Sequence, residues 1–250
     1  MTALLELEGV TKSFGAVHSL VDVTFATADR GIVGLIGPNG AGKSTLINVL
    51  AGVYPPNAGR VRFAGRNLTG LSTAERARAG LVRTFQRPTP ILDLSCIQGV
   101  MIGGLCRGLS VPAARREAHD KLALLGLAEV ADLSPRTLPT GHIKLLDFAR
   151  VLMLRPRLVL LDELMAGLSI TELDLVQGVV EQLAREGIAF LVVEHLMEVI
   201  RRLSHHLVVM DAGRIVAEGE PAQVISDPRV VEAYLGDEAV HVPRSESAHA

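Results

Sequence analysis

The residues best suited to chemistry lie in one string, Gly37-Pro-Asn-Gly-Ala-Gly-Lys-Ser-Thr45. Its spacing, G-x-x-x-x-G-K-[ST], lets a loop turn its backbone N–H groups onto phosphate oxygens at the start of a helix, where the partial positive charge favours anions. Lys43 is placed to neutralise the β and γ phosphates of a nucleotide, and Ser44 to offer its hydroxyl to Mg²⁺. Asn39, Gly40, Gly42 and Thr45 complete the loop around the nucleotide. A glycine-rich turn that binds nothing is the rival reading. It fails to explain why every position is filled and why the string sits between an apolar strand-like run and a helical stretch.

A second, independent feature is Leu158-Val-Leu-Leu-Asp-Glu163. Asp162 can reach the Mg²⁺ shell from the tip of a strand lying beside the phosphate loop, and Glu163 can orient or take a proton from the water that attacks the γ-phosphate. Two acids closing a strand would mean little alone. Beside the phosphate loop they read as the hydrolytic half of an ATP site.

These groups need a scaffold, and apolar runs of strand length alternate with helical stretches along most of the chain, as in a parallel sheet covered by helices. Residues 31–36 form a strand that ends in the phosphate loop, and residues 44–51 a helix. Residues 158–161 read as a strand buried on both faces, 171–186 as a helix stopped by Gly187, and 188–193 as a strand. The outer parts look antiparallel, with Val61 and Phe63 alternating and a hairpin about residues 211–214. Between residues 87 and 150 no strand is evident, and helical material, including 112–125, follows a proline-rich loop. The expected organisation is an α/β P-loop NTPase core over residues 1–86 and 151–236, with an antiparallel outer subdomain in its first part. A helical subdomain is inserted over 87–150, and 237–250 form a flexible tail.

These motifs resemble the ATP-binding cassette (ABC) family over roughly residues 4 to 236. The resemblance implies further roles. Gln86 is similar to the glutamine that joins the core to the helical insertion and reaches Mg²⁺ and the attacking water. His195 is similar to the switch histidine on the γ-phosphate, and Phe14 to the aromatic that stacks on adenine. Residues 166–169 resemble the loop that crosses a dimer interface. The strings at 83–86, 165–168, 193–195 and 231–236 look closest to ATPase subunits of branched-chain amino acid importers and their urea and amide relatives.

Two positions depart from the family. The signature, usually LSGGQ, is here Leu138, Pro139, Thr140, Gly141 and His142, so one contact set to the partner chain's nucleotide is weakened. Leu164 stands where the family has proline after the catalytic glutamate, and a looser backbone near Glu163 is expected.

The resemblance implies an ATP- and Mg²⁺-dependent ATPase, peripheral on the cytoplasmic face of the inner membrane. It pairs with a second, identical or similar cassette, drives two membrane permeases and serves a solute-binding protein indirectly. A soluble mechanical cassette and a weakly hydrolytic nucleotide sensor are the alternatives. The single cassette without sustained heptads argues against the first, and Glu163 with His195 against the second. The permease surface is expected near Gln86 and the apolar run 96–106, whose residues 97–105 read either as that surface or as core of the insertion.

Composition agrees by what it excludes. The 250 residues, 48% apolar with a net charge of −2, suit one large or two small globular domains and give no field that would draw in nucleic acid. No Trp, 2 Tyr and 6 Phe leave no aromatic platform for bases. Apolar stretches fall short of the ~20 residues a membrane span needs. No export signal opens the chain, so a cytosolic site is expected. Cys96 and Cys106 belong to no metal-binding spacing, which suits a reducing compartment.

Overall fold

The computed structural model describes residues 3–232; the tail expected at 237–250 lies outside them. Four strands, β1 (Leu5–Phe14), β2 (Val17–Thr27), β4 (Ala58–Phe63) and β5 (Arg66–Asn67), form an antiparallel sheet in the order β2-β1-β4-β5. A second sheet has the order β10-β9-β3-β8-β7-β6, built from β3 (Gly31–Ile36), β6 (Leu81–Arg83), β7 (Leu158–Asp162), β8 (Ala189–Val193), β9 (His206–Asp211) and β10 (Arg214–Gly219). Strands β9, β3, β8, β7 and β6 run parallel, and β10 closes the edge as an antiparallel hairpin with β9.

Every residue of β7 and β8 is buried, as a parallel sheet covered on both faces requires. Alternation along β7 divides the core. Leu158 and Leu160 face a cluster with Leu46, Ile47 and Leu50 of α1 (Lys43–Ala51) and with Leu5, Val61 and Phe63 of the antiparallel sheet. Val159 and Leu161 face the opposite cluster, shared with the remaining large helices. Helix α1 is therefore packed between the two sheets, which fixes the loop at its N-terminus.

The far end of α1 is held by Arg76 of α2 (Thr73–Arg78). Only 1% exposed, Arg76 donates to the carbonyls of Val49 and Leu50, at 2.7 Å each, and to that of Leu71. A cation on the last carbonyls of a helix satisfies orphan acceptors and suits the negative end of its dipole.

Between β6 and β7 the chain is helical, with α3 (Cys96–Cys106), α4 (Val111–Leu124), two short 3₁₀ turns and α5 (Thr140–Leu152). After β7 come α6 (Ile170–Arg185), α7 (Met197–Leu203) between β8 and β9, and α8 (Pro221–Ile225). Helix α6 starts one residue before the sequence reading because Ser169 and Glu172 form a reciprocal capping box. Among the described residues no single helix is long and apolar enough to cross a membrane.

The apolar run 97–105 is mostly core. Ile97, Val100 and Met101 are buried, the last at 7% exposure, in the cluster that includes Ala114, Ala118 and Phe148. Ile102 is only half-buried and lines a groove, and Leu105 is exposed. We predict that Met101→Glu destabilises the chain by about 3 kcal/mol or more, through an unpaired charge in the core. Ile102→Glu should cost under about 1 kcal/mol. Thermal melts of the two variants check this, and equal losses would contradict it.

Candidate active site

The phosphate loop follows β3 and turns into α1 through Gly42, the N-cap residue, at φ 100°. A side chain there would strike the carbonyl oxygen of Ser19 on β2, so only glycine fits. Lys43, 7% exposed, donates to the carbonyls of Gly37 at 2.6 Å and Pro38 at 2.9 Å, which folds its ammonium back over the loop. Thr45 is hydrogen-bonded through its hydroxyl to that of Ser19, at 2.7 Å.

Three parallel strands end beside this loop, and each delivers one functional group. Gln86 follows β6, Glu163 follows β7 and His195 follows β8. They converge: Gln86 Nε2 donates to Glu163 Oε2 at 2.6 Å, and His195 Nε2 lies 3.0 Å from Glu163 Oε1. Burial pulls the Glu163 carboxyl upward, but the hydrogen bonds from Gln86 and His195, with the charges of His195 and Lys144, outweigh it and hold its pKa below the ordinary carboxylate value. The group is thus ionised at neutral pH, the state a proton acceptor needs.

A cleft of about 190 Å³ separates Glu163 and His195 from Asn39, Gly40, Gly42, Lys43, Ser44 and Thr45. Loop donors and a paired carboxylate face each other across it, as a terminal phosphate and an attacking water would require.

Asp162, 3% exposed, ends β7 behind this cleft. Burial pushes its pKa up, against the draw of the Arg83 guanidinium 3.5 Å away. Its Oδ1 is buried without a hydrogen-bond partner, an arrangement suited to an oxygen that receives a cation. Among the described residues no group of three or more His, Cys, Asp or Glu side chains could hold a metal ion by itself. With that orphaned oxygen, Asp162 would join Ser44 and Gln86 in holding a Mg²⁺ that arrives with the nucleotide, and the ion would polarise the phosphate oxygens.

Comparison with known proteins agrees with this geometry. The model of the family described as "ABC transporter" matches residues 20–166. The chain belongs to the ABC transporter family. A second model, "Branched-chain amino acid ATP-binding cassette transporter", matches residues 214–240. The high-affinity branched-chain amino acid transport ATP-binding protein BraF of Pseudomonas aeruginosa is 34% identical over 94% of this chain and 98% of its own length. A probable branched-chain amino acid transport ATP-binding protein, LivG, of Methanocaldococcus jannaschii is 34% identical with the same coverage of both chains. Among solved structures, an ATP-binding cassette of an ABC transporter in its ADP conformation superposes with TM-score 0.84 at 34% identity, over 94% of this chain and all of the other. A nucleotide-free cassette gives 0.83 at 32% identity, over 93% and 99%. The chain is accordingly an ATPase of this family.

Other residues of the ABC cassette stand apart from the cleft. Phe14, at the end of β1 and 44% exposed, meets Tyr54 edge-on at 5.1 Å between centroids, with the Lys12 ammonium over its ring. The signature segment lies on the helical side. Pro139 is the N-cap of α5 and provides no side-chain cap, and Leu138 is half-buried against the helical core. Thr140 is exposed. His142 is half-buried: its Nε2 lies 3.4 Å from Glu172 Oε1, and its Nδ1 is buried without a partner. The same Glu172 carboxylate lies beside Gly141.

The backbone after Glu163 is not loosened by Leu164, because that side chain is 1% exposed in the core and the neighbouring Met165 N–H donates to Glu194 Oε1 at 2.7 Å. Sequence reasoning also passed over Glu194, Lys144 and Arg83. Glu194 sits between a buried strand and His195, and that position was its only signal. No role was assigned to Lys144, and Arg83 entered only as part of the string 83–86.

Glu194, 2% exposed, has its pKa raised to about 7, mainly by burial, despite the Met165 hydrogen bond and the Lys144 charge. The sign follows. Below its ordinary value of 4.5 the carboxyl is protonated whether the chain is folded or not; as pH rises toward 7 the unfolded chain ionises first. Folding stability is therefore lost on going from acid to neutral pH, by roughly 3 kcal/mol in total. Glu194→Gln should abolish this loss. Denaturant melts from pH 5 to 8 should show the parent weakening relative to the variant, and parallel curves would contradict it.

Proposed function

We propose that this chain is the ATP-hydrolysing subunit of an importer for branched-chain amino acids or a related small polar solute, bound peripherally at the cytoplasmic face of the membrane. The observation that carries the hydrolytic part is Glu163, clamped by Gln86 and His195 and facing the phosphate loop across one cleft. The solute class is supported by the names of the relatives and by the second family model.

In this reading the loop N–H groups and Lys43 bind the triphosphate, and Phe14 stacks on the adenine. Ser44, Asp162 and Gln86 hold Mg²⁺. Glu163 accepts the proton of the attacking water, while His195 steadies the carboxylate and meets the γ-phosphate. Leu138 to His142 serve the nucleotide of a second, identical or similar cassette, and closure on ATP drives two permeases, which a solute-binding protein supplies.

The permease surface is a groove of about 260 Å³ between β6, α3 and α5, lined by Phe85, Ile102, Cys106, Arg150 and Leu154 among others. Phe85 neighbours Gln86, and its N–H donates to Asp147 Oδ2 of α5 at 3.0 Å. A helix pressed into this groove would thus bear on the site.

Glu163→Gln tests the hydrolytic reading. Turnover should fall by two orders of magnitude or more, with ATP affinity retained, because only the proton acceptor is lost. Turnover near the parent's would move that role elsewhere. Lys43→Ala should instead lose nucleotide binding as well, read by equilibrium binding of a fluorescent ATP analogue.

Unequal sites follow if the partner carries an intact signature. Pro139 has no backbone N–H or hydroxyl and His142 is turned onto Glu172, so the partner's nucleotide lacks a donor unless the exposed Thr140 replaces it. A hydrogen bond to a charged group is worth ~1.5 to 3 kcal/mol, or about ten- to a hundredfold in rate. In a reconstituted transporter Glu163→Gln should therefore reduce ATP turnover far more than the matching change in the partner. Equal losses would overturn the asymmetry.

A further inference from the structure

Glu163 has a φ of 50°, in the left-handed region that glycine and asparagine favour, and the strain must be offset by contacts. Its N–H donates to the Val193 carbonyl at 2.9 Å. Lys144 Nζ donates to the Glu163 carbonyl and to the Ala166 carbonyl, both at 2.7 Å. Lys144 is 9% exposed, so these bonds are shielded from water. Glu194 closes the cage through the Met165 N–H.

Lys144 belongs to α5, one helical turn beyond Thr140. The helix whose first turn carries the altered signature thus grips, one turn later, the backbone of this chain's own Glu163. It also holds the residue before Gln86, through Asp147. Both sides of the Gln86–Glu163 contact are therefore fastened to a single helix.

We propose that Lys144 is a positioning residue for ATP hydrolysis: it fixes the left-handed turn that aims the Glu163 carboxylate, and it makes that aim depend on where α5 sits. A tilt of α5 when its signature meets a second nucleotide is passed directly to Glu163. This rests on Glu163 being the group that activates water.

The test uses the full-length chain carrying Lys144→Met, Lys144→Gln or Lys144→Arg, and measures kcat and KM for Mg-ATP, equilibrium binding of a fluorescent ATP analogue, and melting. Lys144→Met should lower kcat about ten- to a hundredfold, with KM and affinity within about twofold of the parent. Lys144→Arg should restore most of the rate. Should Lys144→Met fail to fold, Lys144→Gln carries the same expectation with a smaller loss. A kcat within threefold of the parent in a folded Met or Gln variant overturns the proposal. So does a rate loss matched by lost affinity, or one that Lys144→Arg leaves unrescued. In a Glu163→Gln background Lys144→Met should cost nothing more, and a further large loss there also overturns it. Parent-like turnover by Glu163→Gln alone would instead overturn the assignment of Glu163.

Discussion

The hold on one carboxylate organises this molecule. Glu163 is gripped by Gln86 on one oxygen and His195 on the other, and each comes from a different strand end. Such convergence needs strands that run the same way and stop together, and the register supplies it: Arg83 pairs with Leu160, and Asp162 with Val193. A parallel sheet gathers ligand-binding groups at the carboxyl ends of its strands, and β3 brings the phosphate loop to the same edge. The double hydrogen bond also decides the charge state of Glu163. It outweighs the effect of burial at Glu163, whereas burial dominates at neighbouring Asp162 and Glu194 and raises their pKa values.

The same grip ties the site to the rest of the chain. Helix α5 reaches both the Glu163 turn, through Lys144, and the residue before Gln86, through Asp147. Its first turn carries the signature, and its outer face borders the groove with Phe85 and Arg150. Nucleotide, partner cassette and permease would thereby act on one rigid element. In the proposed dimer, Pro139 and the His142 paired with Glu172 would change what α5 offers a partner, while Lys144 and Asp147 keep their contacts within the chain.

Much of this was legible in the sequence because the phosphate loop and the Asp162–Glu163 strand end are contiguous strings whose spacing is itself the chemistry. The central strands read correctly because parallel strands buried on both faces are unbroken apolar runs, and the one-residue shift at α6 came from a cap. The role of 97–105 stayed open because an apolar helix has the same composition whether it faces a core or a partner; only packing shows Met101 inside and Ile102 at the groove. Lys144 and Glu194 were illegible because their partners are backbone groups distant in sequence. Leu164 misled for a related reason: the missing proline suggested looseness, whereas burial of Leu164 and the Glu194–Met165 bond hold the turn.

We propose that His195 contributes to hydrolysis mainly by steadying the Glu163 carboxylate. A double-variant cycle in single-turnover hydrolysis of Mg-ATP tests it most directly, with Glu163→Gln, His195→Ala and the two combined. If His195 works mainly by steadying Glu163, His195→Ala costs far less in the Glu163→Gln background than in the parent. Losses that multiply, each at full size in the presence of the other, would contradict it.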